Sequence, residues 1–577
     1  MAPTPPSPPP PYGGPPREPA REPRRATANR SIGAYLIQRL QDYGIGHVFG
    51  IPGDYVLSFY SDLERSPIEV IGCTREDSAG FAADAYARLN GMGAVCVTYC
   101  VGGLSICNSI AGAYAEKSPV VVISGAPGMN ERSANALLHH MVRDFRTQLD
   151  VFEKFTIAGG ELSDPLTAFA EIDRVLDAAD RYKRPVYLEL PRDMVHVVPP
   201  VAHGYRGYEH RNDPLATTEA VREASIRLAE SKRPVIIAGV EMHRFRLQDE
   251  LLGIAEKGGI PIAATMLGKS VIGERHPLYI GLYEGGLGDP RVTEFVEQSD
   301  LILLLGAFLT DINLGVYTAR LDPERCVYAT SEQLRISHHH YHDVDLREFL
   351  GGLLETEMRP SERRIPEDLR RDGMGRPAGR APGDEPLTTS RVTELLNRRL
   401  DADTIVIADV GDSLFASTEL TIHQRGEFLS PAYYTSMGFS IPAALGAASA
   451  RPDHRIVVLV GDGAFQMTGQ EFGTLIRLGH APIVILLDNH GYGTERYLHA
   501  GDWKYNEIHA WDYTKLTDVY RGGRSYVVET ERTFDAALGE AWGDPDQAHL
   551  IQVKLAENDA SETLKKLAQR LGERVGR

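Results

Sequence analysis

The chain has 577 residues, with 61 Lys and Arg against 79 Asp and Glu, for a formal net charge of -18. That length is too great for one hydrophobic core, since single cores stop growing at roughly 250–300 residues, so about three domains are expected. The negative balance would repel phosphate backbones and anionic headgroups, which argues against nucleic-acid or membrane-surface partners and favours a small-molecule role.

Hydrophobic residues at 42% and charged residues at 24% sit at the globular average, so most of the chain should fold. Cys73, Cys96, Cys100, Cys107 and Cys326 show no paired CxxC spacing and read as reduced, packed thiols. No apolar run approaches the ~18 residues that span a bilayer, and the N-terminus carries no apolar signal core. A soluble, cytoplasmic protein is expected.

In chain order, residues 1–30 hold Pro8 to Pro11 and then Arg-rich sequence, a composition of solvated polyproline stretches. A disordered tail is expected there. Residues 31–198 follow as a first domain, with helical patterns at 32–43 and 80–89 and apolar strands at 93–99, 119–125 and 185–190. A boundary near 199–213 precedes a central domain at 214–355, with strands at 235–239 and 301–306. Pro360, Pro366, Pro377 and Pro382 among arginines and glycines mark a linker at 356–385. The third domain, 386–571, has strands at 405–409, 456–460 and 483–487. Continuous apolar strands alternating with helices predict an α/β protein of three consecutive doubly wound parallel-sheet domains.

The strongest local signal is Gly461-Asp462-Gly463 directly after a strand, followed by a predicted helix at 469–478, a second strand, and Asn489-His490-Gly491. Ligands of open α/β sheets bind at strand ends, where a helix start offers free N–H groups to an anion. Asp462, the Asn489 side-chain oxygen and the Gly491 carbonyl would together suit Mg²⁺, which takes a few oxygen ligands plus phosphate oxygens. Three letters alone would be a generic turn. The 25 residues between Gly463 and Asn489 add a helix and a return strand.

At that spacing the chain resembles the thiamine-diphosphate enzymes, whose signature is GDG followed by NN or DN. Asp488 stands at the first place of the pair. The resemblance implies thiamine diphosphate and Mg²⁺ as cofactors and names the three domains pyrimidine-binding, central and diphosphate-binding. It makes Glu76, in Thr74-Arg75-Glu76-Asp77, the acid that bonds the pyrimidine ring and so promotes ylid formation. It makes Met437, in Ser436-Met437-Gly438, the apolar support under the bent cofactor. It also places Thr98, Gly411, Asp412, Gly463 and Ala464 against the cofactor with Asn489.

Asp54 in Gly53-Asp54, the doublet His139-His140, and Glu495 four residues after Gly491 resemble the proton-transfer groups of the pyruvate and indolepyruvate decarboxylases. Groups titrating near neutrality suit protonation of an intermediate and release of an aldehyde. The implied activity is decarboxylation of a 2-oxo acid to an aldehyde and carbon dioxide by a homodimer or homotetramer whose site is shared between subunits. Two alternatives stand beside it: an acetolactate-synthase-like carboligase, and a cofactor-binding scaffold without catalysis.

The chain departs from the family pattern it resembles in two places. Asp409-Val410-Gly411 replaces a common Glu-Thr-Gly, removing a hydroxyl, and Gly493-Thr494 replaces a common Thr-Ile beside Glu495. The smaller groups favour an aromatic or branched 2-oxo acid over pyruvate. His338-His339-His340 with His342 reads as a solvated or packed loop of the central domain rather than a metal site. Gly102-Gly103 lacks the GxGxxG of a dinucleotide site.

Overall fold

A computed structural model describes residues 29–134, 137–208, 211–370 and 379–575. Nearly all of the predicted tail, and residues 371–378 of the predicted linker, lie outside these. Three separate sheets form, one in each predicted domain. Numbered within its own sheet, the first has strand order 2-1-3-4-6-5, entirely parallel, and so has the third. The central sheet runs 3-2-1-4-5-6-7 and is parallel except at one edge.

That edge differs from the all-parallel expectation. Leu334–Ile336 and His339–Tyr341 are joined by only Ser337 and His338, a connection too short for the crossover that parallel strands need, so they pair antiparallel. His339 and His340 are exposed on this edge strand, and His339 Nδ1 lies 2.9 Å from Glu223 Oε2. Among the described residues they join no metal-like group.

The predicted helix at 469–478 forms as Glu471–Arg477, and a separate helix that was not predicted, Asp462–Thr468, precedes it. The chain turns at Gly469, where an added Cβ would stand 2.5 Å from the Phe465 ring.

The first and third domains are joined by helix Glu76–Asn90 packing on helix Ser440–Ala450. Both are rich in alanine and glycine, which lets their backbones approach. A Cβ at Gly446 would stand 2.0 Å from the Ala82 carbonyl oxygen, so only glycine fits. One apolar cluster, including Phe81, Ala82, Ile441 and Ala444, spans both domains. Its rim is polar. Arg88, whose side chain is buried, pairs with Asp84 and Glu116, while Glu116 Oε1 accepts the Tyr433 and Tyr434 N–H groups at 2.8 and 2.9 Å.

Candidate active site

In a sheet of order 2-1-3-4 the crossover direction reverses between strands 1 and 3, which opens a crevice at their carboxyl ends. The predicted residues gather at these two crevices. In the first domain, Asp54 follows strand His47–Gly50 and Thr98 follows Gly93–Val97. In the third, Gly411 follows Thr404–Ala408 and Asp462 follows Arg455–Gly461.

The third-domain half is built around Asp462, which is 2% exposed. Its Oδ1 accepts the Gly463 N–H at 2.8 Å and its Oδ2 accepts the Gly491 N–H at 2.9 Å. Burial pushes its carboxyl up to about 7, and the Asp488 charge adds to this. Asn489 directly follows the neighbouring strand, its amide against Gly493, and Arg496 clasps the Asn489 and His490 carbonyls at 2.8 and 2.7 Å. Gly491 has φ +143°, and a Cβ there would stand 2.0 Å from the Asn506 carbonyl oxygen, so the loop closes only with glycine. The Tyr492 ring covers Gly463, and the Ala464 side chain is buried in the core cluster.

Met437 sits on a loop held at both ends by buried carboxylates. Glu116 takes Tyr433 and Tyr434, and Asp409 accepts N–H groups from Gly438 at 3.0 Å and Ser440 at 2.8 Å. Asp412 is turned away from the crevice: its carboxylate accepts the Ser561 N–H at 2.8 Å and the Ser561 hydroxyl. A contact through Asp412 would therefore come from its backbone. The Thr494 Oγ lies 3.2 Å from where a Cβ of Gly411 would stand, and Glu495, beside it, is exposed.

In the first-domain half, Glu76 opens the helix Glu76–Asn90. Gly102 leaves a recess between it and Thr98: a Cβ at Gly102 would be 3.3 Å from Thr98 Cγ2 and 3.6 Å from Glu76 Oε1. Thr98 Oγ1 is buried without a partner. Asp54, His139 and His140 come together within 4.8 Å of one another. His139 Nε2 lies 2.7 Å from Asp54 Oδ2, and its ring stacks on Tyr55 at 4.7 Å with the Tyr55 hydroxyl 3.3 Å from Nδ1. The His140 ring stands edge-on to His139 at 4.8 Å; its φ is +66° and its Nδ1 is buried without a partner. Such strain persists only where surrounding structure imposes it. Among the described residues no hydrogen bond or ion pair within the chain joins these first-domain groups to Asp462, Asn489 or Glu495.

Comparison with known families assigns all three domains. Residues 30–151 match the thiamine pyrophosphate enzyme N-terminal TPP binding domain, residues 221–355 the central domain and residues 409–553 the C-terminal TPP binding domain. The chain is 36% identical over 540 residues to an indole-3-pyruvate decarboxylase of Azospirillum brasilense, covering 92% of this chain and 97% of that protein. It is 33% identical over 542 residues to an alpha-keto-acid decarboxylase of Mycolicibacterium paratuberculosis, covering 91% and 94%. A Mycobacterium leprae alpha-keto-acid decarboxylase is 32% identical over 550 residues, covering 93% and 95%. The chain belongs to the thiamine-diphosphate-dependent 2-oxo acid decarboxylase family.

Around the candidate site of this decarboxylase the structure also places residues that the motifs did not single out. Asp488 is held by Lys554 and Gln552, at 2.5 and 2.6 Å on the next strand. Tyr55 and Arg192 frame Asp54 and His139, with the Arg192 guanidinium 3.6 Å from Asp54 Oδ2 and 5.0 Å from the Tyr55 ring centre. Tyr55 follows Asp54 directly and could have been noticed there. Arg192 and Lys554 carried no local signal.

Proposed function

We propose that the chain decarboxylates an aromatic or branched 2-oxo acid to an aldehyde and carbon dioxide, using Mg²⁺ to hold the diphosphate. The observation that carries this reading is the assembly of Asp54, His139 and His140 into one group at the switch point of a thiamine-diphosphate-binding domain. The chain's residues fit the cofactor and its metal. Asp462 is a buried carboxylate at the strand end, and Asn489 and the Gly491 carbonyl would complete an oxygen set of the kind Mg²⁺ takes. Thr98 Oγ1, buried and unpaired beside Glu76, supplies a free polar atom at the pyrimidine end. When bound, thiamine diphosphate supplies the electron sink for loss of carbon dioxide.

Glu76 would hold a proton against the pyrimidine, Met437 would support the bend, and Gly411, Asp412, Gly463 and Ala464 would line the backbone cradle. Asp54, His139, His140 and Glu495 would deliver and remove protons at the substrate carbon and oxygen. Small Gly493 and the Thr494 hydroxyl beside Gly411 leave side-chain room, which supports an aromatic or branched substrate.

Glu76 and Asp462 are not joined within the chain, which supports a site completed by a second copy in a homodimer or homotetramer. The five free thiols support a reducing, cytoplasmic setting. The test is aldehyde formation from pyruvate, phenylpyruvate, indolepyruvate, branched 2-oxo acids and benzoylformate with thiamine diphosphate and Mg²⁺. Glu76→Gln should lose about a hundredfold or more in turnover. Preference for pyruvate would overturn the substrate assignment, and wild-type turnover in Glu76→Gln would overturn the role of Glu76.

A further inference from the structure

The turn at residues 73–75, which leads into Glu76, is tied to the third domain by one side chain. Glu471 opens the helix Glu471–Arg477, next along the chain from the helix that begins with Asp462. It is fully buried, and among the described residues it has no cationic partner. Its Oε1 accepts the Thr74 N–H at 2.8 Å and the Thr74 hydroxyl at 2.5 Å, and its Oε2 accepts the Thr474 hydroxyl at 2.7 Å. Arg477 adds a bond to the Gly72 carbonyl at 2.8 Å. The Cys73 thiol faces the same carboxylate, and burial together with that charge holds it protonated.

Burying a carboxylate without a cation is unfavourable unless donors surround it, and an apolar side chain would serve packing alone better. Two of the three donors here belong to Thr74, which lies in another domain, 397 residues away, and two positions before Glu76. Both the amide and the hydroxyl of Thr74 are held, so its backbone and its χ1 are set together. The direction in which Glu76 leaves the turn is set with them.

We infer that Glu471 is a positioning residue for Glu76, acting through Thr74 and orienting the first-domain acid from the helix pair that carries Asp462. This rests on the reading of Glu76 as the cofactor-activating acid.

The test uses the full-length chain carrying Glu471→Ala, Glu471→Gln, Thr74→Val or Glu76→Gln. Backbone amide exchange at Thr74, measured without added cofactor, reports the link independently of activity. Glu471→Ala should raise that exchange at least about tenfold while core amides keep their protection. With cofactor and Mg²⁺ its kcat should fall about 10- to 100-fold, with KM for the 2-oxo acid changing less than about twofold. Glu471→Gln keeps an oxygen for Thr74 and should restore most of kcat.

Unchanged kcat in Glu471→Ala despite faster Thr74 exchange would overturn the proposal. So would a Glu471→Gln variant as poor as Glu471→Ala. If Glu471→Ala does not fold, Thr74→Val removes one of the two bonds and should lower kcat about threefold or more; unchanged kcat there also counts against it. Wild-type turnover in Glu76→Gln would refute the Glu76 assignment itself, while the Thr74 exchange result would still stand.

Discussion

The Lys554 ammonium stands 2.5 Å from Asp488 Oδ2, directly across the ladder between strands Ile483–Asp488 and His549–Lys554. Burial alone would push the Asp488 carboxyl up, but the hydrogen bonds from Lys554 and Gln552 outweigh it and hold the carboxyl below its ordinary range. The acid at the first position of the Asp-Asn pair is thereby neutralised on the side away from Asp462. Lys554→Met should cost about 2–3 kcal/mol, below the full cost of breaking a buried pair because Lys554 is partly exposed. Lys554→Met with Asp488→Asn should recover most of that. Urea midpoints of the two variants decide it: an equal loss in both would show that the ion pair is not the cause.

Tyr55 is 1% exposed and touches His139 through its hydroxyl, which lies 3.3 Å from Nδ1 and 3.2 Å from the backbone carbonyl, and through its stacked ring. With Asp54 at Nε2, both imidazole nitrogens have an oxygen partner, so the ring can carry a proton on either one. His140, Arg192 and Glu131 face the same group. Tyr55→Phe keeps the stack and removes the hydroxyl. We expect kcat to fall about tenfold with KM nearly unchanged and the pH–kcat profile to shift, because general acid–base steps contribute on this scale. A superimposable profile would show that the hydroxyl does not act through His139.

Asp409 is fully buried and accepts three backbone N–H groups, from Val410, Gly438 and Ser440. Asp409→Ala would leave all three without an acceptor, a loss of about 3–5 kcal/mol, whereas Asp409→Asn retains one oxygen and should lose less. Because Met437 rides on the loop so released, thiamine diphosphate should bind at least about tenfold more weakly to Asp409→Asn. Calorimetric titration measures this. Unaltered affinity with lowered stability would limit Asp409 to a folding role.

Glu284, in the central domain, is 2% exposed, and its Oε1 has no partner. Burial pushes its carboxyl up from 4.5 to about 7 against the pull of Lys269 and Lys566. A raised folded pKa means that the native state binds the proton more tightly, so this group's stability is complete below the unfolded pKa and is lost as pH rises towards 7. The full effect is about 3 kcal/mol. Glu284→Gln should therefore gain stability relative to wild type between about pH 5 and about pH 8 in urea unfolding. A difference constant across that range would contradict the assignment.

What the sequence determined by itself was local. Whereas Glu76 and Asp54 were singled out only by the family resemblance, Asp462, Asn489 and Gly491 could be singled out because each lies at a strand end whose chemistry depends on neighbours along the chain. The alternation of apolar strands and helices set the α/β class for the same reason, and only the short antiparallel edge of the central sheet escaped it. Tertiary structure alone decided which side chains face one another. His139 meets Asp54 across 85 positions, and Lys554 meets Asp488 across 66. Asp412 turns to Ser561, and Glu471 reaches Thr74 across a domain boundary. Side-chain direction follows from the packing of one sheet and helix layer on another, which no window of sequence contains.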